Sequence, residues 1–315
     1  MPTGKIDLQQ LARQYHVLVK TDNQFQRQAR ILQSIWREEQ QYRFGKHRDQ
    51  PLGSRLPMPW AKETLANYLT PNIRQAVRYE IQNKNQSGKL FAEPRIYDNL
   101  LSSQPLCFNL FAELQQDLNL ATAVFQKLSS DRISQVTGIE FEHSPGRGNV
   151  RYTGDKSAFD VYVTYQTPAG GAGFIGIEVK YHENLAVTVA KLRDRHDEIA
   201  VAMQCFDPAS LAVLKSPPLE QIWRDHLLAG SLLQSGAFED GFFVFLYPQA
   251  NLQCAGAVRD YSACLKEMDT FMGWTLETVL TCLNEITSAK WIDDFFDRYL
   301  RFDRIEQLLK AMNDG

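Results

Sequence analysis

Three ionisable residues stand out by type and spacing. Glu178 and Lys180 lie two apart in "FIGIEVKYHE" (174 to 183), and Asp160 sits in "SAFDVYVTY" (157 to 165), all within apolar surroundings. Charged groups seldom leave water without a partner. Alternation along a strand puts Phe174, Gly176, Glu178 and Lys180 on one face and Ile175, Ile177, Val179 and Tyr181 on the other. Glu178 and Lys180 are then neighbours, roughly 6.6 Å apart along the backbone. The intervening "QTPAGGAG" carries the Pro and Gly signals of a chain reversal, which predicts an antiparallel hairpin. Pairing Tyr165 with Gly173 makes 166 to 172 the loop and sets Asp160 opposite Glu178, with Cβ atoms about 5 Å apart. Two carboxylates that close repel each other unless a proton or a cation lies between them. A hard divalent ion with oxygen ligands, Mg²⁺ or Mn²⁺, suits the position. With Lys180 alongside, the matching chemistry is phosphodiester hydrolysis: the metal activates water and offsets charge on phosphorus, while the ammonium positions the nucleophile or steadies the transition state.

The hairpin "FDVYVTY…GFIGIEVKY" resembles the core of the PD-(D/E)XK nuclease superfamily, the restriction-endonuclease-like fold. Asp160 matches the first acid of its pattern, and Glu178-Val179-Lys180 matches the acid-x-Lys. The Pro that usually precedes the first acid is replaced by Phe159. The stretches "NLLSSQPLCFNLFAEL" and "IWRDHLLAGSLL" are similar to segments of a bacterial restriction-endonuclease branch, which extends the likeness over roughly 95 to 260. The resemblance implies that Asp160, Glu178 and the backbone carbonyl of Val179 hold the metal. It also points to an accessory acid on the helix before the sheet, for which Glu113 in "FNLFAEL" is the candidate.

Several elements must position these residues. Residues 1 to 90 read as helical. "NQFQRQARILQSIWREEQ" has an apolar stripe, and "TPNIRQAVRYEIQNK" opens with Thr70 as cap and Pro71 at the first helical position. "GKHRDQPLGSRLPMPW" (45 to 60) reads as a loop. One long helix is predicted from Gln104 or Pro105 through Leu128. Period-two patterns predict strands at 136 to 143, 157 to 165 and 173 to 181. A helix follows at 219 to 233. "GFFVFLYP" (241 to 248) reads as a strand buried on both faces beside a parallel neighbour. The remainder reads as helices. The expectation is a mixed α/β sheet flanked by helices: a helical region over 1 to 90, the core over 91 to 260 and C-terminal helices over 261 to 315.

The 315 residues carry a net charge of −3, with 44% hydrophobic and 23% charged content, as in a soluble globular protein. The longest apolar run, "FFVFLY", is too short to span a bilayer, and "MPTGKIDLQQ" lacks an apolar signal region. Five Cys without Cys-x-x-Cys spacing argue against a zinc ribbon or disulfide framework and fit a cytoplasmic location. No global basic field draws the chain to nucleic acid, although a local cleft suffices for phosphate contact. Arg147, Arg151 and Lys156, on the Gly-rich "HSPGRGNVRYTGDK", are the candidates for contacting DNA, the expected partner, with Lys191 or Arg195 as further ones. His182 and Glu183 follow the Lys directly, and Gln104 and Asn109 suit capping or core hydrogen bonds. A homodimer is the arrangement by which a chain with one site cuts both strands. Three blander readings stand beside the nuclease: a structural ion pair at a sheet edge, an inactive nucleic-acid- or protein-binding module on the same fold, and an interaction protein.

Overall fold

A computed structural model describes residues 7–186 and 191–314. Strands β1 (Gly45–His47) and β2 (Gln50–Leu52) form a small hairpin within the segment predicted as a loop. Its two turn residues, Arg48 and Asp49, both have positive φ, the conformation that a tight two-residue hairpin requires. The main sheet has five strands in spatial order β3 (Gln135–His143), β4 (Phe159–Gln166), β5 (Ala172–Val179), β6 (Asp240–Tyr247) and β7 (Phe271–Thr275). The first three run antiparallel, and β6 and β7 add in parallel to β5. The mixed α/β sheet is therefore present as expected. The register of the central hairpin is also as predicted, with Tyr165 facing Gly173 and Val161 facing Ile177.

Alternation divides the sheet into two apolar faces. Val163, Ile175, Ile177, Val179 and Val244 join a core with Phe108 and Phe111 of the helix Ser103–Gln116, Trp36 of the helix Gln24–Glu39 and Phe295 of the helix Lys290–Tyr299. Tyr162, Phe174, Phe243 and Phe245 form the other core with Ile222, Trp223 and Leu227 of the helix Glu220–Gln234. Glu178 and Lys180 lie on this second face, at the end of β5.

Three departures from the sequence pattern have local causes. The helix predicted from Gln104 through Leu128 is two helices, Ser103–Gln116 and Leu118–Ser129. Asp117 divides them, its carboxylate accepting the N–H groups of Asn119 at 3.1 Å and Leu120 at 2.9 Å as a helix cap does. The apolar run from Trp291 likewise splits at Leu300–Phe302 into Lys290–Tyr299 and Asp303–Asp314. Strand β7 lies where only helix is predicted. At five residues it is too short to display its period, and Thr275 at its end already caps the next helix by accepting the Thr278 N–H at 3.1 Å. Thr70 and Pro71 start the helix Pro71–Ser87 as the pattern requires.

A buried guanidinium joins distant parts of the chain. Arg298 is 0% exposed and lies over the Trp36 ring at 4.0 Å. Its Nε donates to Gln33 Oε1 at 3.0 Å, one terminal nitrogen donates to the Asn67 carbonyl at 2.7 Å, and the other donates to Asn67 Oδ1. None of these partners is a carboxylate, and burial lowers the guanidinium's pKa.

Gly176 faces Tyr162 and Phe243 in the sheet, and the Phe159 ring lies over its bare Cα. An added Cβ would collide with that ring. Gly176→Val is expected to destabilise the fold by about 1–3 kcal/mol, because a close-packed interior absorbs added carbon poorly. The shift of the urea midpoint checks this.

Candidate active site

The register of β4 and β5, continued one step beyond Val161 and Ile177, brings Asp160 across from Glu178. Asp160 Oδ2 accepts the backbone N–H of Val179 at 2.9 Å, which ties the first acid to the middle of the Glu-Val-Lys triplet. The Val179 side chain is fully buried on the opposite face, so only its backbone belongs to the site. Glu178 is 6% exposed and Lys180 7%. Lys180 Nζ donates to Glu178 Oε1 at 2.5 Å, and Gln221 Nε2, from the first turn of the helix Glu220–Gln234, donates to the same oxygen at 2.6 Å. Among the described residues no hydrogen bond reaches Glu178 Oε2.

The electrostatics follow from crowding of like charge. Burial, and then the neighbouring Glu178, push the Asp160 carboxyl well above its ordinary range, with Lys180 opposing. Burial acts to lower the pKa of Lys180, but Glu178, Glu183 and Asp160 outweigh it and hold the ammonium charged. One lysine thus serves two adjoining carboxylates. The donors are hard oxygens, and the nearby Cys107 thiol is kept protonated by burial and the surrounding acids. Among the described residues no three His, Cys, Asp or Glu groups are arranged as a ready-made cage. Two carboxylates without a cage are chemically compatible with a hard divalent cation that keeps several of its waters.

A rim of paired groups surrounds this centre. Glu142 of β3 has its pKa raised by burial, and Arg147 opposes this by donating to its Oε1 at 2.9 Å. The other Arg147 donors go to the carbonyls of Gly88 at 3.0 Å and Lys156 at 2.8 Å, so this residue staples the 144–158 loop. Asp155 anchors the same loop. Its carboxylate accepts from Thr153 Oγ1 at 2.8 Å and the Ser157 N–H at 2.9 Å, and it faces His196 Nε2 at 3.2 Å and Arg224 Nε at 3.4 Å. Burial alone would raise the Asp155 pKa, but these hydrogen bonds pull it far below the usual carboxylate value.

The remaining expected residues lie in several places. Glu113 is nine residues along its helix from Gln104, roughly 13 Å at 1.5 Å per residue. Its carboxylate accepts from Thr70 Oγ1 and, at 3.2 Å, from Asn72 Nδ2, and no contact joins it to Asp160 or Glu178. Arg151 and Arg195 line a cleft of about 530 Å³ together with Asn149, Ser231 and Gln234. Lys156 and Lys191 are exposed. Glu183 accepts the N–H groups of Tyr181 at 2.8 Å, His182 at 3.1 Å and Ser103 at 3.1 Å, closing the strand end onto the start of the earlier helix Ser103–Gln116, and the Nδ1 of His182 is buried without a hydrogen-bond partner. Gln104 bridges Ala92 N–H and the Leu90 carbonyl, and Asn109 bonds Leu69, Asn67 and Tyr299, both in the structural roles expected. Sequence reasoning missed Gln221 and Glu142, and with them the buried Asp225, one turn beyond Gln221 on the same helix. The available signal was the four-residue spacing of Gln221 and Asp225 inside "LEQIWRDHLL".

A family model described as PD-(D/E)XK nuclease superfamily matches residues 20–301. The chain belongs to the PD-(D/E)XK nuclease superfamily. No curated protein and no solved structure matches it. Membership agrees with the mixed sheet and with the resemblance read from Asp160 and the Glu178-Val179-Lys180 triplet, and nucleases of this superfamily generally use divalent metals. Among the described residues no helix is long and apolar enough to cross a membrane.

Two expectations follow from the charges. Asp160→Asn removes one of two repelling carboxylates, so the metal-free variant should melt at or above wild type near pH 7. Mn²⁺ is expected to raise the wild-type melting temperature and not that of the variant, as differential scanning fluorimetry will report. Asp155 has a depressed pKa in the folded state, so its contribution is full above the unfolded value of about 3.9. Asp155→Asn should cost about 1–3 kcal/mol at pH 7, and denaturation at pH 7 and pH 3 should show the deficit narrowing as pH falls below 4.

Proposed function

We propose that this superfamily member is a divalent-metal-dependent nuclease that hydrolyses phosphodiester bonds, with DNA as its substrate and Mg²⁺, or Mn²⁺ in its place, as its cofactor. The observation that carries this reading is the juxtaposition of Asp160 and Glu178 on adjoining strands with Lys180 Nζ 2.5 Å from Glu178. Asp160, Glu178 and the Val179 carbonyl would hold the ion. Bound there, the metal supplies Lewis acidity and lowers the pKa of a water. Lys180 is held charged, which suits a group that orients the nucleophile and offsets phosphate charge rather than one that removes a proton. Gln221 and Lys180 both donate to Glu178 Oε1, which fixes the carboxylate and leaves Oε2 as the oxygen that would bind an ion.

The cleft between the 144–158 loop and the end of the helix Glu220–Gln234 supports a path for the substrate backbone. Ser231 and Gln234 at that cleft lie ten or more residues from Gln221, roughly 15–20 Å along the helix at 1.5 Å per residue. Arg151 and Arg195 bring basic side chains to the cleft, Arg195 paired with Glu198 Oε2 at 2.9 Å and Arg151 donating to the Ser235 carbonyl at 3.3 Å. Arg147 and Lys156 sit on the same loop, Arg147 in a bracing role. The reading does not rely on the accessory acid, since the partners of Glu113 are Thr70 and Asn72 at the start of the helix Pro71–Ser87. All five cysteines are buried and free, which suits a reducing cytoplasm. A homodimer would supply the second site for cutting both strands.

Linear, circular and single-stranded DNA, with RNA as a comparison, should be incubated with the purified protein in Mg²⁺ and in EDTA. Cleavage is expected only with the metal. Asp160→Asn, Glu178→Gln and Lys180→Ala are each expected to lose on the order of 10³-fold or more in rate while melting cooperatively. Undiminished turnover by the Asp160→Asn, Glu178→Gln double variant overturns the assignment. Metal and DNA binding without cleavage by the wild type would instead identify an inactive binding module on this fold.

A further inference from the structure

The helix Glu220–Gln234 carries a carboxylate that the site as described leaves unused. Asp225 is 5% exposed, and its Oδ2 is buried without a hydrogen-bond partner. Such an atom is costly to keep, because a buried polar group ordinarily finds a donor. The neighbouring Arg224 does not supply one, since its guanidinium faces Asp155 and Glu220 and donates to Ser157 Oγ at 2.9 Å.

The position of Asp225 indicates what its partner would be. Gln221, four residues earlier on the helix, donates to Glu178 Oε1 at 2.6 Å. Residues four apart share a helix face, so Asp225 is directed to the same side. Its nearest charges agree: burial and then Glu178 push its carboxyl well up, while Arg224 and Lys180 oppose. Asp225 does not complete a three-acid cage with Asp160 and Glu178, because no such convergence occurs among the described residues. Mg²⁺, however, retains several of its waters, and each presents O–H groups that need acceptors.

We propose that Asp225 binds the water shell of the cation held by Asp160 and Glu178, accepting hydrogen bonds from metal-bound water on the helix side of the site. Asp225 is thus a positioning residue, and its role rests on the reading of Asp160 and Glu178 as a metal centre.

The test is a calorimetric titration of Mn²⁺ into full-length wild type, Asp225→Asn and Asp160→Asn, without nucleic acid. Outer partners of metal sites typically change affinity 10–100-fold. Asp225→Asn is expected to weaken Mn²⁺ binding by about that factor while keeping the wild-type stoichiometry. Its metal-free melting temperature should equal or exceed wild type, since the variant no longer sets a buried, donor-less carboxyl beside Glu178. If Asp225→Asn melts lower, Asp225→Ser is titrated under the same criterion. Wild-type Mn²⁺ affinity in a folded Asp225 variant overturns this inference and leaves the metal centre standing. Absence of Mn²⁺ uptake by the wild type overturns the metal-centre reading, and this inference with it.

Discussion

Two carboxylates on adjacent strands share one ammonium, and this local excess of negative charge dictates how the surroundings are built. The outlying acids are neutralised: Glu142 faces Arg147, Asp155 faces Arg224 and His196, and Glu183 accepts three backbone N–H groups. The inner acids are not. Asp160 receives a single backbone N–H, and one oxygen of Glu178 takes both available side-chain donors. Charge is thus balanced at the rim and left in excess at the centre, which is the observation behind the proposed cation site.

The scaffold tolerates this imbalance because the rest of the sheet is strongly apolar. Both faces of β5 and β6 are covered, one by a core that gathers helices from early and late in the chain, the other by the helix that bears Gln221 and Asp225. The charged residues lie where β5 ends and the helices meet it, so the sheet holds them without enclosing them completely. The loop from 144 to 158 is bound to that helix through Asp155 and Arg224, which links the cleft to the centre by short, directional contacts.

The central hairpin was legible in the sequence because two physical rules coincide there. Side-chain alternation fixes the face, and the Pro- and Gly-rich reversal fixes the register, so Asp160 and Glu178 could be matched before any coordinates. The helix at 103 to 129 was less legible, since its apolar stripe runs unbroken through the point where Asp117 caps a new start. Glu113 was plausible from helix position alone, but rise per residue carries it away from the strand ends. Gln221 and Asp225 depend on how a helix docks on the sheet, and docking leaves no local mark beyond a polar spacing common to many helices. Arg147 illustrates a similar limit: a basic residue on a Gly-rich loop reads as a phosphate ligand, whereas its geometry is that of a brace.

Arg298 has a consequence for the order in which the molecule can be completed. The oxygens of Gln33 and Asn67 are translated more than two hundred residues before the guanidinium that satisfies them. During synthesis, the early helices can therefore assemble only provisionally, with polar atoms still open to water. Final closure awaits the helix Lys290–Tyr299, and the core behind the candidate site is completed only once that late helix has been made.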